Sequence, residues 1–201
     1  MKSILIFLAF LAGPIFAAGG GDLDPNDFVG ISFWLVTAAM LAATVFFFVE
    51  RGDVEGKWKT SLTIAGLICG IAFWHYLYMR GVWVDTGETP MVFRYIDWLL
   101  TVPLQMVEFY LILAAVTAVA ASLFWKLFVG SLIMLIFGYM GEAGLMSALP
   151  AFLVGCAAWI YMIFILWFGE GKAVVTTTSA SVQTAYNTMM WIIIVGWAIY
   201  P

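Results

Sequence analysis

Residues 94–110, RYIDWLLTVPLQMVEFY, put an arginine and two carboxyls into a stretch otherwise fit for hydrocarbon. Arg94 and Asp97 stand three residues apart on one helical face, and Thr101 extends that face by four more. Glu108 follows Asp97 by eleven residues. Eleven steps of about 100° return nearly to the starting azimuth, on the order of 16 Å further along a helix. A charge at the bilayer centre costs at least about 2.5–3.5 kcal/mol, so two carboxyls on one interior column point to a proton relay. Asp97, beside Arg94, is placed to accept a proton. Glu108, set among Val107, Phe109 and Leu111, is placed to hold one. A ready base and a ready acid on one stripe make a directional pair. The competing reading is an Arg94–Asp97 ion pair that satisfies only itself, with Glu108 in a helix–helix hydrogen bond. Spacing alone leaves both open.

His75, the only histidine, lies in AFWHYLYMR (residues 72–80). A lone ring on an aromatic-rich helix is ordinarily a packed one. Its depth matches that of Asp97, since both lie a few residues from the same ends of neighbouring spans, and a histidine there can share or tune the carboxyl's proton. Trp98, Trp159, Trp197 and Tyr200 fall inside spans rather than at the interfaces where such rings collect. They either pack as core or wall a flat apolar ligand. Pro103 removes one backbone hydrogen bond in mid-helix, near Thr101.

These residues need helices across a membrane to position them. The chain has 201 residues, 65% hydrophobic and only 10% charged, with a mean hydropathy of +1.06. A soluble domain is about 25% charged, so lipid is the solvent here. The net charge of −4 and the lack of any basic run exclude a nucleic-acid partner. Cys69 and Cys156 lie in apolar runs and read as small hydrophobes, not as a disulfide or metal pair. Spans of about 20 apolar residues are expected over 29–49, 60–79, 91–115, 123–141 and 149–168, with a sixth beginning near Val182. Loops are expected at 50–59, 80–90, 117–122, 143–147 and 169–181.

At the start, Lys2, the apolar run 4–12 and Ile15-Phe16-Ala17 read as a signal peptide over residues 1–17, cleaved after Ala17. The mature domain is then 18–201. Arg51, Lys57, Lys59, Lys126 and Lys172 fall on one side, against Arg80 alone on the other. The basic side is cytoplasmic, which puts the N-terminus outside.

Several stretches carry a resemblance: FWLVTAAMLAATVFFFVER (33–51), GIAFWHYLYMRGVW (70–83), FRYIDWLLTVPLQMVEFYLILAA (93–115), FGYMGEAG (137–144) and TAYNTMMWIIIVGWAIYP (184–201). They resemble the proteorhodopsins, the bacterial branch of the microbial rhodopsins, from the signal peptide to the last residue. The resemblance implies an all-α membrane protein, a seven-helix bundle of which about six helices are present in this chain. It implies all-trans retinal, held by a lysine as a protonated Schiff base, and a photoactive transporter in the bacterial inner membrane rather than an enzyme. Asp97 then matches the proton acceptor and counterion, Glu108 the donor, His75 the residue coupled to the acceptor, and Arg94 the counterion-region arginine. Trp98, Thr101, Met134, Trp159, Trp197, Tyr200 and Pro201 match pocket positions. Gln105 matches the position that tunes colour, with glutamine in the blue-absorbing form. Homo-oligomeric rings in the lipid bilayer are implied too.

One departure stands out. The family's retinal-linking lysine lies in the seventh helix, and no lysine of this sequence lies in mid-span. The apolar run 189–200 is also short for a crossing. The sequence therefore reads as a fragment of a longer product. Outward light-driven proton pumping is expected of the intact protein. A blue-light sensor without net transport is the alternative, and a non-photoactive fragment a third. Glu108 favours the pump, because a sensor has no need of fast reprotonation.

Overall fold

The computed structural model describes residues 24–199. Among them every regular element is helical: α1 (Phe28–Glu50), α2 (Trp58–Thr86), α3 (Met91–Val116), α4 (Ala121–Glu142), α5 (Ala148–Trp167), α6 (Glu170–Val175), α7 (Ala180–Trp191) and a π-helical turn (Ile192–Gly196). Five spans are long and apolar enough to cross a bilayer, the fifth running from α5 into α6. The expected signal peptide (1–17), Tyr200 and Pro201 lie outside the described residues.

Consecutive helices pack side by side, α1 on α2, α2 on α3, α3 on α4 and α4 on α5, and α7 lies against α3 and α5. The chain therefore runs up and down between two ends. One carries Asp27, Thr86, Met91, Glu142 and Ala148; the other carries Glu50, Lys57, Val116, Ala121 and Trp167. They are called the Asp27 end and the Lys57 end below. The outer surface is apolar, with Trp34, Phe46, Trp125, Ile160 and Phe164 all more than half exposed. A water-facing surface could not sustain such contiguous apolar area; a bilayer requires it.

Local chemistry sets the helix ends. The Asp27 carboxylate caps α1, accepting from the backbone N–H of Gly30 at 3.0 Å and of Val29 at 3.1 Å. Its other oxygen accepts from the Trp83 indole N–H at 2.7 Å, which ties α1 to the last turn of α2. These donors, the Gly30 N–H foremost and the Trp83 indole next, hold the Asp27 carboxyl below its ordinary range.

α2 corrects one expectation. The sequence places Arg80 in a loop, yet the helix continues through it to Thr86 and is 29 residues long, about 43 Å against a hydrocarbon core of about 30 Å. Val82, Trp83 and Val84 sustain it past the arginine, whose guanidinium packs over Trp34. It stops at Gly87, which takes φ +73°, a conformation glycine adopts without Cβ strain. The expected loop 169–181 likewise contains the short helix α6. Pro103 is buried inside an unbroken α3.

α4 and α5 approach closely at the Asp27 end: a Cβ on Gly141 would lie 2.7 Å from that of Ala151, so only glycine permits this crossing. Toward the Lys57 end, Met106, Phe109, Leu113, Leu127, Met162, Leu166, Tyr186 and Met190 form one buried cluster. Tyr186 bridges it, its hydroxyl donating to the Leu166 carbonyl at 2.9 Å. The cluster plugs that half of the bundle.

Candidate functional site

α3 supplies most of the site because it sits between α2 and α4 and touches α6 and α7 as well. On its inward column Asp97 is 2% exposed and Glu108 8% exposed. Thr101, between them, is buried and turns its hydroxyl back to the Asp97 carbonyl at 3.0 Å.

A cavity of about 550 Å³ lies beside the first carboxyl, within the roughly 300–1,000 Å³ range of small-molecule sites. Asp97, Trp98, Thr101 and Gln105 face it from α3, Met134 from α4 and Trp159 from α5. Trp197, just past the π-helical turn, closes the side toward the plug. All seven are among the residues that the sequence points to; Tyr76, Tyr95, Glu142 and the two cysteines, Cys69 and Cys156, join the same wall without such a signal. Both thiols are free.

His75 reaches Asp97 from α2. Its Nδ1 lies 3.6 Å from Asp97 Oδ1, an electrostatic contact too long for a hydrogen bond. The same nitrogen is 3.0 Å from the Ile71 carbonyl oxygen. A carbonyl only accepts, so Nδ1 carries a proton and Nε2 is the nitrogen free to accept.

Arg94 departs from expectation. No ion pair joins it to Asp97. Its Nη2 donates instead to Glu142 Oε1 at the end of α4, and its guanidinium lies over the rings of Trp98 at 5.3 Å and Tyr95 at 5.9 Å. The competing partner is the Glu142 carboxylate, partly exposed at the end of α4, which captures the far end of the long Arg94 side chain.

Glu108 lies outside the cavity, on the plug side. Ser61, in the first turns of α2, donates its hydroxyl to Glu108 Oε1, and Oε2 is buried without a hydrogen-bond partner. Beyond it, Lys57 Nζ donates to the Ala114 carbonyl at 3.0 Å, joining the start of α2 to the last turns of α3. A serine near the start of a span reads as a helix-end residue, so Ser61 carried no signal in the sequence.

The walls suit a flat, apolar, elongated ligand. Three tryptophans and two methionines, Met40 and Met134, supply ring and thioether surface, and Asp97 Oδ1 and Trp159 Nε1 are buried polar atoms without hydrogen-bond partners. No described lysine faces the cavity. Lys57 and Lys126 are engaged at the Lys57 end, Lys126 with Glu170. Lys59 and Lys172 belong to helix starts at that same end.

Comparison with known proteins places this arrangement. The family model described as bacteriorhodopsin-like protein matches residues 27–201. The green-light absorbing proteorhodopsin of Gamma-proteobacterium EBAC31A08 is 70% identical over 201 residues, spanning 100% of this chain and 81% of the relative. The blue-light absorbing proteorhodopsin of Gamma-proteobacterium Hot 75m4 is 71% identical over 200 residues, spanning 100% of this chain and 80% of the relative. The crystal structure of blue light-absorbing proteorhodopsin from Med12 superposes with a TM-score of 0.72 at 60% identity, covering 87% of this chain and 78% of that one.

Proposed function

This chain belongs to the family of bacteriorhodopsin-like proteins, and on that premise we propose that it serves as a light-driven outward proton pump built on retinal. The observation that carries the proposal is the pair of buried carboxyls on one column of α3. Asp97 stands against the cavity and Glu108 behind it at the plug, about 16 Å apart.

Retinal, when bound to a linking lysine, would supply absorption of visible light, and the lysine nitrogen of the resulting Schiff base would carry the proton. Trp98, Trp159, Trp197 and Met134 would hold its polyene between them. Asp97 is the base on the Asp27 side and takes a proton on its carboxylate, with the His75 ring 3.6 Å away. Glu108 is the acid on the Lys57 side. It gives its proton toward the cavity, and Ser61 then stabilises the carboxylate left behind. The apolar plug keeps water from short-circuiting the two sides. Direction follows from the placement: release from the Asp97 side, uptake through Glu108.

Arg51, Lys57, Lys59, Lys126 and Lys172 gather at the Lys57 end, which supports a cytoplasmic Lys57 end and an N-terminus outside. Transport would then run outward across a bacterial inner membrane. Gln105 supports a blue-shifted colour, because a polar amide beside the polyene favours the ground-state charge distribution. A signal peptide over residues 1–17, pocket roles for Tyr200 and Pro201, a linking lysine supplied from a seventh helix, and homo-oligomeric rings belong to the same reading.

The test is light-induced acidification outside vesicles or cells that carry this sequence extended to all seven helices. Asp97→Asn should abolish the acidification and move absorption to longer wavelength, as loss of a counterion does. Acidification that survives the substitution removes Asp97 from the role.

A further inference from the structure

We propose that Glu142, the last residue of α4, is a positioning residue that decides where Arg94 points and so keeps the guanidinium away from Asp97. Arg94 precedes Asp97 by three residues on α3, the spacing at which oppositely charged side chains ordinarily pair along a helix. Here the pairing is across helices. Arg94 Nη2 donates to Glu142 Oε1, and the guanidinium is steered over the Trp98 and Tyr95 rings. Its Nε is left buried with no hydrogen-bond partner. The buried Nε fits a side chain drawn into place by its far end, not one settled for its own stem.

The corner that holds the pair is built for it. The Tyr95 ring packs edge-on against Tyr139 at 5.2 Å. A Cβ on Gly138 would come within 3.3 Å of the Tyr95 hydroxyl, so the missing side chain lets the phenol seat beside Glu142. Gly141 brings the end of α4 against α5, which fixes where the Glu142 backbone lies. Arg94 and Glu142 are 26% and 43% exposed in their side chains, and Glu142 lines the cavity. The pair therefore sits at the Asp27-end mouth, while Asp97 is left with the His75 ring 3.6 Å away. Removing the Glu142 charge frees the guanidinium to take the position one turn along its own helix.

The consequence for proton transfer rests on the reading of Asp97 as acceptor. The test needs neither retinal nor light, so the two can fail separately. Membranes holding the chain, labelled with ¹³C-aspartate and -glutamate and ¹⁵N-arginine, are examined by solid-state NMR for dipolar contact between the Arg94 guanidinium nitrogens and carboxyl carbons. The signals are assigned by their loss in Asp97→Asn and Arg94→Lys. The parent should show the Arg94–Glu142 contact and no Arg94–Asp97 contact within about 4 Å, the reach of an ion pair. Glu142→Gln should make the Arg94–Asp97 contact appear, and Glu142→Asp should restore the parental pattern. An Arg94–Asp97 contact in the parent overturns the proposal, whether or not the glutamine variant folds. So does a folded Glu142→Gln in which Arg94 still avoids Asp97.

Discussion

Replacing Ser61 by alanine should slow the recovery half of the photocycle by roughly 10- to 150-fold, and the structure supplies the reasoning. Ser61 is 5% exposed and Glu108 8% exposed, so water cannot stand in readily for a lost donor. The Ser61 hydroxyl is the one donor recorded for the Glu108 carboxyl, since Oε2 already lacks a hydrogen-bond partner. A hydrogen bond to a charged group is worth about 1.5–3 kcal/mol. The bond matters most once Glu108 has given up its proton, so its loss falls mainly on that step. At about 1.36 kcal/mol for each factor of ten, the step should slow by roughly 10- to 150-fold. The assay is flash photolysis of the seven-helix pigment at neutral pH, with recovery followed in the visible. Glu108→Gln is the reference: it keeps the side-chain volume and an oxygen for Ser61 to donate to, and it should lose the roughly 10²–10⁴-fold typical of a positioned acid. A small diffusible acid such as azide should restore both variants, and Ser61→Thr should recover most of the rate. Recovery within twofold of the parent in Ser61→Ala would refute the reasoning, and would leave the Ser61–Glu108 contact as packing.

Three further outcomes are expected. Gln105→Leu should move absorption to longer wavelength with retinal binding retained; an unmoved spectrum takes Gln105 out of the tuning role. The depressed folded-state affinity of Asp27 for protons means that its contribution to stability is fully present above the unfolded value of about 3.9 and is lost as pH falls through the lower folded value. Thermal unfolding of Asp27→Asn, which keeps a capping side chain but no charge, should therefore depend less on pH between about 5 and 2 than the parent does; superimposable acid profiles contradict this. Finally, retinal added to the 201-residue chain alone should give no visible pigment, because no described lysine faces the cavity. A pigment whose borohydride-reduced retinal stays on Lys57, Lys59, Lys126 or Lys172 would overturn the assignment of the cavity.

The spans were legible in the sequence because lipid demands long apolar runs, and the column of Asp97, Thr101 and Glu108 was legible because helical periodicity fixes azimuth. What lay hidden were partners drawn from other helices. The Arg94–Asp97 pair was expected because spacing displays only neighbours on the same helix; Glu142, 48 residues away in MGEAG, looks like punctuation before a loop. Ser61 was hidden for a similar reason, as a polar residue where a span begins. His75 stands 3.6 Å from Asp97, although the depth that suggested the two as neighbours rests on a span end at Arg80 that comes too early. The helix instead runs on to the glycine turn at Gly87.

The π-helical turn at Ile192–Gly196 bears on how the far wall of the cavity is set. A π-turn holds one residue more than the α-turn it replaces, so everything after it is rotated by about 100° relative to a continuous α-helix. Trp197 is the first residue beyond that turn and one of the cavity's walls. Its aim is thus a matter of counting. Rewinding 192–196 into a regular α-helix with every residue kept would swing the indole away from the cavity, whereas loss of one residue from the segment would let it close as an α-turn and leave the aim intact, because the residue lost is the extra one that the turn absorbs. The π-turn is thus the place in this helix where a one-residue deletion would spare Trp197, and one where an event that merely regularises the backbone would act like a point mutation of Trp197 itself.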